Sequence, residues 1–117
     1  MNTTITIKRV YEAPAKNDGL RVLVDRLWPR GIKKENAAID EWPKELAPSA
    51  DLRKWFNHDP NKWEAFQKKY KEELKQNPAL DIFLKSHTGT RKITLLFGAR
   101  DEQHNQAVVL QEVLEQH

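Results

Sequence analysis

The sequence predicts a single small α/β domain, with a few-stranded, mostly parallel sheet flanked by helices and a helical insertion before the last strand. Three observations carry that prediction. Two apolar runs, residues 20–26 and 92–97, lack polar alternation, as strands covered on both faces do. Residues 49–87 carry repeated helix-start signals. The length of 117 residues suits one domain with one modest core.

Residues 3–10 alternate, with Ile5, Ile7 and Arg9 on one face, and read as the first strand. Pro14 and Asn17-Asp18-Gly19 mark a turn. Residues 20–26 form the second strand. The link between the two is short for a parallel crossover, which usually takes a dozen residues or more. Their relative direction therefore stays open.

From residue 32 to residue 48 the chain reads as irregular, with a short helix near Lys34. Ser49 is the N-cap of a helix to about Phe56, presenting Leu52, Trp55 and Phe56. Asp59-Pro60 starts the next helix, because aspartate caps and proline fits the first helical position. There Trp63, Phe66, Tyr70 and Leu74 recur at helical spacing. Lysines mixed with glutamates occupy the other face, an ordinary solvated pattern. Trp55 and Trp63 are read as core. Asn77-Pro78 opens a short helix with Leu80, Phe83 and Leu84, ending at Thr88-Gly89. Residues 92–97 are the third strand. Asp101 is read as the cap of a final helix carrying Ala107, Val109, Leu110, Val113 and Leu114.

Composition narrows the function classes. Cysteine is absent, which excludes disulfides, thiolate metal sites and cysteine nucleophiles. No run approaches the roughly 18 apolar residues of a membrane span, and the N-terminus lacks the apolar stretch of a signal peptide. A cytoplasmic protein with no membrane partner is expected. The net charge of +3 permits an anionic partner without demanding one. No glycine-rich phosphate loop, G-x-S-x-G elbow or H-E-x-x-H motif is present, and no cofactor is implied.

The chemistry-bearing residues gather where strands end. The second strand runs into Asp25-Arg26, then Trp28-Pro29-Arg30-Gly31; the third runs into Gly98-Ala99-Arg100-Asp101. Guanidinium forks match carboxylate or phosphate, and ligands in open α/β sheets bind beyond the carboxyl ends of strands. If these strands are parallel neighbours, Arg26, Arg30 and Arg100 share one rim, with Lys33 nearby. The backbone amides of residues 101–103, opening the last helix, would add to an anion site. Two readings stand. The arginines bind an anion, or Asp25 and Asp101 simply pair with them and hold the rim together. Asp101 and His104, three residues apart, can meet as an acid/base pair; as metal ligands they would need a third and fourth partner, for which His58-Asp59 is the other candidate and its proximity stays open. Trp28 is the one tryptophan placed to stack on a ligand.

VDRLWPRG at residues 24–31, APSADLRKWFNHDP at residues 47–60 and LLFGARDEQHNQA at residues 95–107 together resemble the YeaO-like family of small bacterial proteins, a domain of unknown function. The resemblance covers nearly the whole chain and implies no defined activity. A wider, more distant group is similar in a strand ending in aspartate and arginine, followed by cysteines beside a His-Arg pair. Asp25 and Arg26 match in kind and His104 falls against that histidine. The cysteines are missing, so thiol chemistry is not implied.

The leading expectation is a pocket for an anionic small molecule, phosphate or nucleotide. Arg26, Arg30 and Arg100 clamp it, with Asp101 beside them and Trp28 stacked on or closed over it. In a hydrolase-like version, Asp25 is the general base and His104 the general acid. The alternatives are a nucleic-acid-binding module and a protein-interaction adaptor without catalysis. Oligomeric state is not legible.

Overall fold

The computed structural model describes residues 3–117. Its sheet contains β1 (Thr4–Arg9), β2 (Leu20–Leu23) and β3 (Lys92–Phe97) in the order β1-β3-β2. Both outer strands run parallel to β3, with Thr4 opposite Lys92 and Leu20 opposite Ile93. The open question of direction is answered: β1 and β2 are parallel but do not touch. Residues 10–19 return the chain from one end of the sheet to the other, a span they cover easily at about 3.3 Å per extended residue.

The helices are α1 (Lys34–Ala37), α2 (Ala50–Phe56), α3 (Trp63–Lys75), α4 (Pro78–Ser86) and α5 (Gln106–Glu115). α2 to α5 pack over one face of the sheet, and the short α1 lies on the other. Phe66, Tyr70 and Leu74 of α3 and Leu110 and Leu114 of α5 join Val22, Ile93, Leu95 and Phe97 in the main core. The other face is covered by irregular chain. There Val10, Leu23 and Leu96 pack against Trp28, Ile32, Ile39 and Trp42. Trp28 and Trp42 meet edge to face with ring centres 5.4 Å apart. Cover on both faces explains why β2 and β3 are mostly apolar on both sides, and why their polar members Arg21 and Thr94 are buried.

Caps fall largely where the residues predict them. The Ser49 hydroxyl accepts from the Leu52 amide, and Asn77 accepts from the Ala79 amide. Asp59 caps a 3-10 turn, Pro60–Lys62, that leads straight into α3.

Several expectations are corrected. The last helix starts at Gln106, and Asn105, not Asp101, accepts from its first amides, those of Ala107 and Val108. The amides of residues 101–103 therefore do not open a helix. β2 ends at Leu23, although the Val24 amide still reaches the Leu96 carbonyl at 3.0 Å. α4 stops at Ser86, three residues before Gly89. Trp55 is 39% exposed rather than core. α2 has only two turns, and its Leu52–Phe56 face takes the core contacts. Trp55 instead lies between Lys62 and Lys69, each about 5.1 Å from its ring.

Gly19 is required by two constraints at once. Its φ of +67° is disfavoured for other residues, and a Cβ there would lie 2.5 Å from the Lys92 carbonyl oxygen. Gly19→Ala is expected to cost at least about 2 kcal/mol in urea denaturation, from strain and from displacing β2 against β3. A loss within experimental error would mean that the strands tolerate a wider spacing.

Candidate functional site

Because β2 and β3 are parallel neighbours, both motif-bearing strand ends open on the same side. They border a cleft of about 570 Å3. All the residues singled out in the sequence, Asp25, Arg26, Trp28, Arg30, Arg100, Asp101 and His104, line it. Lys33 does not; it lies on a separate depression of about 260 Å3.

Asp25 is the best-defined group. Its carboxylate accepts from the Gly98 amide at 2.9 Å and from the Gln106 side-chain amide, and its carbonyl accepts from the Trp42 indole at 2.7 Å. Gly98 permits the approach, since a Cβ there would lie 2.9 Å from the carboxylate oxygen. Burial pushes the Asp25 carboxyl up to about 6 from 3.8, outweighing the opposing pull of the two hydrogen bonds and of His58. No arginine pairs with it.

Asp101 is likewise engaged away from the arginines. One carboxylate oxygen accepts from the amides of Gln103 and His104, forming a tight turn, and the other lies 2.8 Å from His104 Nδ1. The Gln103 amide first, then the His104 ring, hold this carboxyl below the usual carboxylate range. An acceptor at Nδ1 fixes the proton there in the neutral ring and leaves Nε2 as the unprotonated nitrogen. The ring packs edge-on against Trp63 at 5.2 Å.

The arginines are thus left to themselves. Arg26 donates to the Pro48 carbonyl at 2.9 Å and to the Ala47 carbonyl at 3.4 Å. Arg30 and Arg100 are exposed, and among the described residues none of the three has a carboxylate within ion-pair distance. The rim is not held by Asp–Arg pairs. Trp28 is a fixed wall rather than a movable lid, because its indole donates to the Ile32 carbonyl at 2.7 Å. Among the described residues, no three His, Asp or Glu side chains are grouped as metal ligands would be, and no helix is long and apolar enough to cross a membrane.

A family model described as the Inactive DUF488-N3 subclade matches residues 4–117. The chain belongs to this family. It is 43% identical over 106 residues to the uncharacterized protein YeaO of Escherichia coli (strain K12), covering 91% of this chain and 92% of that one. It is 39% identical over 112 residues to the uncharacterized proteins Rv3073c of Mycobacterium tuberculosis and Mb3100c of Mycobacterium bovis, covering 96% of this chain and 94% of each relative. No solved structure matches. The YeaO-like resemblance carried by the three motifs is a true membership, in a subclade whose description carries the word inactive.

Beyond the strand-end motifs, further residues of this DUF488-N3 chain reach the cleft. Arg53 of α2, His58, Tyr11 and Gln106 also line the cleft. Asn57 and His58 both adopt left-handed backbone, φ 46° and 55°, so the chain turns back after α2 and carries His58 to the cleft. Arg53 shares its helix face with Phe56, one turn apart, but the face directed to the cleft is set by tertiary packing. For Gln106 a local signal exists: with Asn105 as the cap, it is the first helical residue beside the strand ends.

The raised Asp25 carboxyl has a stability consequence. The folded state holds this proton more tightly than the unfolded state, so its contribution to stability is lost as pH rises from about 4 to about 6. In Asp25→Asn, a rotated Gln106 amide keeps both hydrogen bonds without a buried charge. Between about pH 4.5 and pH 8 the variant should gain about 2 kcal/mol relative to the parent, measured by urea melts. A pH-independent difference would show that the carboxyl is not desolvated.

Proposed function

We propose that the cleft binds an anionic small molecule, a phosphate-bearing metabolite or nucleotide, and holds it without turnover. One observation carries this reading. Arg26, Arg30, Arg53 and Arg100 border a single cleft with no carboxylate partner among the described residues, while both nearby aspartates are engaged by other groups. Like charges gathered at a concave, partly apolar wall raise the local positive potential, which an anion relieves. Arg26 is anchored on two carbonyls, so its remaining N–H groups have a preset direction, and the exposed Arg30, Arg53 and Arg100 close on the ligand from the rim. Trp28 forms a rigid side of the pocket. The description of the family as inactive supports binding over chemistry.

A second reading keeps catalysis, and the Asp101–His104 pair favours it. An oriented imidazole and a half-buried carboxyl near 6, lining the same cleft, have the parts of an acid/base couple, with Asp25 as base and His104 as acid. Phosphate release from a phosphate ester or nucleotide, lost in His104→Ala, would support this reading over simple binding.

A thermal-shift panel of phosphate, nucleotides and nucleic-acid oligomers at two salt concentrations tests the binding reading. A ligand at about a hundred times its dissociation constant adds about 2.7 kcal/mol of stability. Arg100→Ala should weaken a small-anion response about tenfold, the effect of one lost charge-assisted contact. A response confined to oligomers and falling steeply with salt would instead favour a nucleic-acid surface. No ligand response at all, or one indifferent to Arg100, would overturn the pocket.

A further inference from the structure

The arginines account for only part of the cleft. Its volume of about 570 Å3 lies within the range of organic-ligand sites, about 300–1,000 Å3. An ion of phosphate size leaves most of it unfilled. Away from the exposed guanidinium groups the lining changes character. Pro48, Phe56 and Phe66 line it without any polar side-chain atom, and the two phenylalanine rings are stacked 4.2 Å apart.

The half-buried Asp25–Gln106 pair adds a second kind of polarity. An ionised carboxylate only accepts, so Gln106 must direct its amide nitrogen at Asp25. That orientation leaves the Gln106 carbonyl oxygen without a protein partner among the described residues. No fully buried side-chain oxygen among them lacks a partner, so this one is solvent-accessible. The carboxylate has about four lone-pair positions, and only the Gly98 amide and Gln106 use them. The same cleft therefore presents donors at its exposed arginines and, beside the second N–H of Gln106, free acceptor positions on the Asp25 carboxylate and the Gln106 carbonyl.

Resting on the anion-binding reading of this cleft, we infer that its ligand is an organic anion with a flat body whose inner edge carries N–H donors, the chemistry of a guanine-type nucleoside monophosphate. The phosphate meets Arg30, Arg53 and Arg100. The ring lies along the apolar wall at Phe56. Its ring and exocyclic N–H groups donate to the Asp25 carboxylate and the Gln106 carbonyl. Bare phosphate engages only the first of these three regions.

Calorimetry with three probes tests this: inorganic phosphate, guanosine monophosphate, and the purine ribonucleoside monophosphate that lacks N–H donors on its ring. At about pH 8, guanosine monophosphate should bind about tenfold more tightly than the donor-free nucleotide, the discrimination of one good paired hydrogen-bonding edge. The ratio between the two nucleotides should fall below about threefold at about pH 5, where Asp25 is protonated, and equally in Asp25→Asn. Phosphate protonation changes both nucleotides alike and cancels in that ratio, so the pH arm stands even if the variant folds poorly. Equal binding of the two nucleotides at the higher pH, with both lost in Arg100→Ala, would overturn the donor edge and leave the anion site intact. Absence of any Arg100-dependent binding would remove both.

Discussion

Everything at the cleft depends on β3 lying between two parallel partners. A parallel strand sends its carboxyl end the same way as its neighbour, so once β2 and β3 pair, Asp25 and Gly98 must emerge side by side. The pairing is locked from several directions. The Val24 amide reaches Leu96, the Thr94 hydroxyl donates to the Asp18 carbonyl at 2.6 Å, and Thr6 and Thr94 share a hydroxyl contact at 2.9 Å. The Asp25–Gly98 hydrogen bond then fastens the two strand ends where the ladder stops.

The protein solves the problem of an aspartate near the sheet in two ways. Asp18 is buried and takes Lys8 and Arg21 as ion partners, along with the Ala15 amide. That carboxylate is fully compensated and holds the turn before β2 together. Asp25, at the other end of the same strand, takes two neutral donors instead. Desolvation is then offset by no ion pair and outweighs the pull of His58, which is why its proton is held so tightly. It is also why the neighbouring arginines remain uncommitted. The charge balance of the cleft follows from one carboxylate being satisfied by an amide and a glutamine.

Much of this arrangement is legible in the sequence. The largely apolar run at residues 92–97 marks the central strand, and the Ser49 and Asn77-Pro78 signals start α2 and α4, with Asp59-Pro60 starting the turn into α3, because capping is local chemistry. The two strand-end motifs point to the cleft because a polar, proline- and glycine-containing stretch after a buried strand has few other uses. The features that local patterns misplace are decided at longer range. Asp101 looks like a cap, but Asn105 stands at the true helix start and Asp101 closes a turn of its own. Trp55 looks like core until α3 covers only the other side of α2. Arg53 and His58 reach the cleft through the way α2 packs and turns back, which no spacing in the sequence encodes.

The separation of β1 from its partner also governs how the chain assembles. Thr6 meets Thr94 across 88 residues of sequence. Among the described residues β1 pairs with no strand but β3, so it stays unpaired until β3 is available. Closing so long a loop costs entropy before any contact repays it. The helices between are short and rely on packing against that sheet for most of their stability. The cleft draws its lining from residues 11 to 106, so it is complete only when the strands and the helices between them have come together.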